Sequence, residues 1–413
     1  MNLSLSHKER SMQQPDFESR HFLQSHVADT LAFYDRHAVD PQGGFFHYLK
    51  DDGSVYDRSH RHLVSATRLV FTQAMAYTHT PHTPHTRQER YLEQARHALS
   101  HLERFRHPHG PLAGLYAWTL RDGQIEDGTV MAYGQAFVLL AYAHAHRVGL
   151  CDAQQVAQAF ERMERAFFEP AHGAYADEIT PSGELIAYRG QNANMHMCEA
   201  CLAAYAATGQ AYYLERARLL IDRFVFGLAQ QSQGLVWEHY HQDWTPDHDY
   251  NRGNRDNIFK PWGFQTGHQT EWAKLLLIAH AIEANPDYVK RAAELQKAAW
   301  THGWDGEHGG LIYGFDPDMR PYDSDKYFWV QAESFASAWR LWRVTGDEAF
   351  RRQYHAIWAW SWEHLVDHQY GAWFRILAAD GKKLEDTKSP AGKVDYHTMG
   401  ACWDVLEAGG LRP

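Results

Sequence analysis

Six times along this chain a glycine falls together with an aromatic residue, and the spacing is close to regular. The segments are Gly43-Gly44-Phe45-Phe46, Gly114-Leu115-Tyr116, Gly173-Ala174-Tyr175, Gly234-Leu235-Val236-Trp237, Gly309-Gly310-Leu311-Ile312-Tyr313 and Gly371-Ala372-Trp373-Phe374. Counted from Gly44 the steps are 70, 59, 61, 76 and 61 residues. A period of this kind means that one supersecondary unit is copied along the chain, and it outranks any single motif in deciding the fold. Turn chemistry follows several segments, at Asp52-Gly53, Asp122-Gly123, Pro181-Ser182-Gly183 and Asp380-Gly381.

The unit is clearest at 191–225. Residues 192–208 form an alanine-rich run closed by Gly209, as a helix C-terminal glycine closes a helix. A second run, 211–226, places Leu214, Ala217, Leu220, Ile221 and Phe224 on one stripe with charges opposite. The same pair recurs at 62–77 with 90–105, 130–147 with 153–168, 266–283 with 287–301, and 328–345 with 349–366. Two runs are left unpaired, 17–37 and 396–408. Five pairs and two orphans predict an all-α ring, an (α/α)6 barrel of six inner and six outer helices, closed where the first helix docks beside the last. On this reading residues 1–413 make a single catalytic domain.

The net charge of −11 comes without a basic block, which argues against nucleic acid as a partner. No apolar run approaches the ~20 residues of a membrane span. The N-terminus, MNLSLSHKERSMQQPDF, lacks the apolar core of a signal peptide, and four cysteines do not make a disulfide framework. A cytoplasmic enzyme is expected. The oligomeric state is left open, with a homodimer as one option. Aromatics at 14%, with 15 Trp and 22 Tyr, either fill a wide helical core or stack against sugar rings.

The first helix of each pair is the less charged, so it is read as the inner one. Polar groups there are costly unless bonded, and function is sought among them. They include Arg68, His196-Met-Cys-Glu199, His268-Gln-Thr-Glu271, Trp329, Gln331 and Glu333, and Tyr396-His397. Residues i and i+3 share a helix face, so each His-x-x-Glu presents both groups in one direction, the axial cavity. A lone helical histidine is ordinarily structural, and His97, His101 and His144 are read so. Three readings remain open. A metal site is the first, although His-Glu-x-x-His spacing is missing and Cys198-x-x-Cys201 has no second pair. A glycoside hydrolase using Glu199, Glu271 or Glu333 is the second. Imidazole acid–base chemistry beside a carbonyl is the third, and the repeated histidine favours it. The segment from His79 to His85 is read as an exposed proline-rich loop.

The segments Asn192-Ala-Asn194-Met-His196-Met-Cys-Glu199, Gly267-His268-Gln-Thr-Glu271-Trp272, Lys326-Tyr-Phe-Trp329-Val-Gln331-Ala-Glu333 and Asp395-Tyr396-His397 resemble the N-acylglucosamine 2-epimerase family, within it the aldose–ketose isomerase branch. The resemblance implies an (α/α)6 barrel and sugar isomerisation through an enediol, without a metal or other cofactor. By it His268 and His397 are the acid–base pair, and Arg68, Asn192, His196, Glu271, Trp329 and Glu333 surround a monosaccharide. Glu199 and Trp118 are added as substrate neighbours, with Trp118 and Trp329 holding the ring. His268 or His196 assists ring opening, His397 moves the proton between C2 and C1, and Arg68 stabilises the enediolate. The alternatives are a 2-epimerase of a free or N-acylated hexose, or a sugar-binding toroid without activity.

Overall fold

Each glycine–aromatic segment turns on a glycine in the left-handed region. Gly44, Gly114, Gly173, Gly234, Gly310 and Gly371 have φ of 69°, 88°, 64°, 76°, 74° and 96°. A side chain is strained there, which is why the repeat keeps glycine at this point. The turn folds the chain back on the tail of the preceding helix. Val39 bridges Phe45, Arg106 bridges Tyr116, Trp304 bridges Leu311 and Val366 bridges Trp373, all antiparallel. The computed structural model describes residues 14–80, 87–255, 257 and 259–412 of the 413. The N-terminal segment and most of the proline-rich loop after His79 lie outside the described residues.

Twelve α-helices are present among the described residues. They are α1 (Arg20–His37), α2 (Leu63–His79), α3 (Arg87–Leu102), α4 (Ala132–Arg147), α5 (Ala153–Phe167) and α6 (Gln191–Thr208). Then follow α7 (Ala211–Ile221), α8 (Thr266–Ile282), α9 (Pro286–Gly303), α10 (Phe328–Thr345), α11 (Glu348–His364) and α12 (Tyr396–Ala408). The even-numbered helices are inner. Every residue of α2 from Leu63 to Ala76 is buried, as is α8 from Thr266 to Leu277. The outer helices are amphipathic, and α5 buries Val156, Ala159, Phe160, Met163 and Phe167 as one stripe behind an Asp152 capping box. Each inner helix packs on the next, α12 packs on both α2 and α1, and the ring is closed.

Two expectations are refined. The second helix of the third pair does not run as one α-helix to Phe226. It leaves α geometry at Ile221 and continues as a π turn, Asp222–Gly227, and a 3-10 turn, Leu228–Gln231. The segments before the inner helices are not plain loops either. They pair as short antiparallel ribbons such as Tyr48–Lys50 with Val55–Asp57 and Thr119–Arg121 with Gln124–Asp127, crowning the end where the inner helices begin. The Asp-Gly tips predicted turns, but ribbon strands this short carry too little alternation to be read as strands. Among the described residues no helix is long and apolar enough to cross a membrane.

A second repeat ties the crown to the ring. Gln135, Asn194, Gln269 and Gln331 occupy one position of four successive inner helices. Each side-chain amide accepts from the backbone N–H and donates to the C=O of one residue, respectively Tyr116, Tyr175, Val236 and Leu311, at 2.7–3.1 Å. All four residues belong to glycine–aromatic segments. The amide thus satisfies both backbone groups of a buried residue.

Candidate active site

The amide clamps set the register of the site. Two residues after each lie Phe137, His196, Glu271 and Glu333, and two residues before lie Tyr133, Asn192, Gly267 and Trp329. These positions face the axis at the start of the inner helices. A narrow pocket is lined there by Tyr133, Asn192, His196, Phe259, His268, Glu271, Tyr313, Trp329, Lys393 and His397. Gly267 is small for a reason: a Cβ on it would lie 2.3 Å from the Trp329 ring.

His397 and His268 each point Nδ1 at a buried carboxylate. His397 Nδ1 lies 2.7 Å from Glu333 Oε1, and its Nε2 receives an N–H of Arg68 at 3.2 Å. The Arg68 contact fixes the tautomer: Nδ1 carries the proton and Nε2 the lone pair. His268 Nδ1 lies 2.9 Å from Glu238 Oε1, and Gln191 Nε2 donates to the other oxygen of Glu238 at 3.0 Å. Trp329 stands against both imidazoles, at ring-centroid distances of 5.1 Å from His268 and 5.6 Å from His397. A third imidazole, His196, donates from Nδ1 to Glu199 at 2.8 Å, and Glu199 is also bonded by the Tyr396 hydroxyl.

The sequence reading brought most of these residues together and misassigned some partners. Asn192, His196, His268, Glu271, Trp329 and His397 line the cavity. Arg68 stands just behind, buried, stacked on Phe137 and Tyr396, and bonded to Tyr133 and Gly392. Glu199 and Glu333 do not line it; they stand behind His196 and His397 as their orienting carboxylates. Trp118 lies in an adjoining pocket, edge-on to His62 and Phe259. The His-x-x-Glu pairs also differ. His196 pairs with its own Glu199, whereas His268 turns away from Glu271 to Glu238. Glu238, Tyr133, Tyr313, Phe259 and Lys393 were missed. Tyr313 ends the fifth glycine–aromatic segment and Glu238 directly follows the fourth, a positional signal that passed unused. Lys393 sits one turn before His397 in a loop and carries no repeat signal.

Burial dominates the electrostatics. Burial, then the charges of Arg68 and Lys393, hold His397 well below the usual imidazole range. Burial lowers His196 to about 4. Burial pushes Glu333 up to about 7 against the pull of Lys274. Glu271 is held well above the carboxylate range by burial and then by the charge of Glu333, which favours its protonated form. Both Glu271 oxygens, Asn192 Oδ1 and Trp329 Nε1 are buried with no hydrogen-bond partner among the described residues. Unpaired polar groups of this kind, around a cavity, are where the hydroxyls of a polyol ligand bond.

Two sets of groups also have metal-ligand character. His196, Glu199 and Glu271, and separately Glu271, Glu333 and His397, bring ligand atoms within 4.8 Å of one another. Their chemistry fits a dication poorly. Glu199 and Glu333 are already engaged by the histidines, and Lys274 contacts Glu333 at 2.6 Å. Arg68 and Lys393 add positive charge beside His397.

The signature of the N-acylglucosamine 2-epimerase (GlcNAc 2-epimerase) family matches residues 44–401. The chain belongs to the N-acylglucosamine 2-epimerase family. Within this epimerase family it is 46% identical over 400 residues to a D-mannose isomerase of Marinomonas mediterranea, covering 96% of this chain and 99% of the relative. It superposes on a crystal structure of D-mannose isomerase with a TM-score of 0.91 at 46% identity, covering 96% of this chain and all of that one. A cellobiose 2-epimerase from Bacillus thermoamylovorans, 20% identical, gives a TM-score of 0.80 over 94% of this chain and 99% of its own. That likeness carries the (α/α)6 fold of the epimerase family.

Proposed function

We propose that this family member interconverts D-mannose and D-fructose by histidine acid–base catalysis through an enediol. One observation carries the reading: two imidazoles, each with Nδ1 on a buried glutamate, flank the Trp329 face of a single cavity. The relative at 46% identity supports D-mannose as the substrate. His268 opens the ring by moving a proton between O1 and O5. His397 Nε2 then takes the C2 proton. The C2–H electron pair forms the C1=C2 bond, and the carbonyl electrons move onto O1. Arg68 leaves the imidazole lone pair for the developing oxyanion, an interaction worth roughly 3–4 kcal/mol when well placed. Glu271 as an acid protonates O1 and recovers a proton from O2 while His397 returns its proton to C1. The new imidazolium is stabilised by Glu333. Hydrolysis of a glycosidic bond is disfavoured, because Glu333 is engaged by His397 and Lys274 and leaves Glu271 without a second free carboxylate. Cys151, Cys198, Cys201 and Cys402 as free thiols support the cytoplasm as the compartment.

The test is incubation with D-mannose in D2O, followed by NMR. Fructose should accumulate with deuterium entering at C1 of the ketose or not at all. Glucose forming with no fructose would instead make the protein a 2-epimerase.

A further inference from the structure

The inner helices line a second, wider and partly open cavity, of about 360 Å³, nearer their C-terminal ends. On α6 it is lined by Glu199, Leu202 and Ala206, downstream of His196. On α8 it is lined by Lys274, Ile278 and Ile282, downstream of His268 and Glu271. Glu199 and Glu333 line this second cavity while their histidines line the first. A layer one side chain thick therefore separates the two.

Lys274 is the cation of that layer. It is 5% exposed, with Nζ 2.6 Å from Glu333 Oε2 and 3.3 Å from Asp404 Oδ2. Asp404 is fixed in turn by Arg340 at 2.7 Å. A continuous chain of contacts thus runs from Arg68 through His397, Glu333, Lys274 and Asp404 to Arg340. Glu271 stands on the same helix as Lys274, and its carboxyl lies within 4.8 Å of the ligand-type atoms of Glu333 and His397. Two buried carboxyls this close do not both ionise cheaply, so one keeps a proton. Only Glu333 is bonded to an ammonium; Glu271 makes no hydrogen bond among the described residues, its nearest ion-pairing group being His196 Nδ1 at 3.8 Å. The other charged neighbours are Glu199 with His196 on α6, Arg68 on α2, and Lys393 before α12; α4 presents His144 and Arg147 to the second cavity.

We propose that Lys274 is a positioning residue of the reaction: pinned by Asp404, it keeps Glu333 as the carboxylate behind His397 and leaves the shared proton on Glu271, facing the sugar. The proposal rests on the reading of His397 as the base. Glu333 raised only to about 7 while Glu271 goes well above its ordinary range agrees with that placement. Without Lys274 the proton moves to Glu333, and His397 loses the carboxylate that stabilises its imidazolium.

The second cavity makes the test specific, because a small amine can reach the position of Lys274 without crossing the sugar site. Lys274→Ala should lower kcat roughly 10- to 100-fold, the scale of losing a group that orients a functional histidine. Its KM for mannose should change little, and the acid limb of its pH profile should move to higher pH. Methylammonium should restore kcat without competing with mannose, and Lys274→Arg should retain more activity than Lys274→Ala. Parent-like kcat in Lys274→Ala overturns the proposal. So does a loss with an unmoved acid limb and no rescue by methylammonium, which is the behaviour of a purely structural lysine. If the alanine variant does not accumulate, Lys274→Gln carries the same pH measurement. A His397→Ala variant is run in parallel: parent-like turnover there overturns the base assignment itself, separately from Lys274.

Discussion

His397 keeps its lone pair on Nε2 because its Nδ1–H donates to Glu333 and Arg68 donates to the other nitrogen. His268 is held the same way by Glu238. Removing either imidazole should cost at least the ~10²–10⁴-fold that general acid–base transfer contributes, so His397→Ala and His268→Ala should each lose mannose isomerisation while circular dichroism stays unchanged. The pH profile should not report an imidazole. His397 lies well below its usual range and is already neutral at neutral pH, whereas Glu333 is raised to about 7. Turnover should therefore rise as pH climbs through about 7, where Glu333 ionises. Glu333→Gln should lose that limb, and Lys393→Met, which removes an amine lowered to about 7 by burial, should keep it. Proton transfer by these groups needs no metal, so prolonged dialysis against EDTA should leave kcat at the parent value; loss restored by one divalent ion would contradict this. At this scale the chain was legible where a residue type recurred on inner helices. Lys393 escaped because it sits in a connection where no period marks it, and Glu238 because the glycine–aromatic repeat beside it reads as a turn rather than as a site.

The inner helix with its glycine–aromatic segment is the working element. Gln269 bonds both the N–H and the C=O of Val236, one residue before Trp237 and two before Glu238, so the clamp carries the carboxylate of the His268 pair. Gln269→Ala leaves two buried backbone groups unpaired at roughly 1–3 kcal/mol each. A drop of roughly 2–6 kcal/mol in urea unfolding is expected, with loss of activity in the variant that still folds. Gln269→Glu keeps the acceptor half and should lose less. The helix pairs were legible because a 3.6-residue stripe and the closing glycines Gly209 and Gly346, both left-handed at 71° and 70°, are local signals. The clamps were not, since a buried glutamine on an inner helix looks the same whether it meets backbone or ligand.

The ring is closed by its ends. Ser19 bridges Arg412, the Tyr354 hydroxyl bonds Phe17 O at 2.6 Å, and buried Glu18 gathers Arg351, His355 and Arg412. The barrel also buries neutral histidines widely. His26, His144, His196 and His239 are lowered to about 4, 3, 4 and 4 by burial, and His47 and His397 lie well below the usual range. For each the unfolded chain binds the proton first. The stability these groups contribute is present above about 6.5 and is lost as pH falls toward 4. Glu333 and Asp177, both raised to about 7, act in the opposite sense and lose their contribution as pH rises through 7, but they are fewer. The melting temperature should therefore fall steeply between pH 6.5 and 4, which scanning calorimetry across that range checks. Helix number, pair order and the polarity of the inner faces were settled by local pattern, because glycine geometry, caps and apolar stripes act within a few residues. The partnerships of the site came only with tertiary packing. Glu238 meets His268 across 30 residues, Glu333 meets His397 across 64, and Arg68 meets His397 across 329. Contacts between separate elements leave no periodic trace in a chain, and the Arg68–His397 contact forms only when the last inner helix packs against the first.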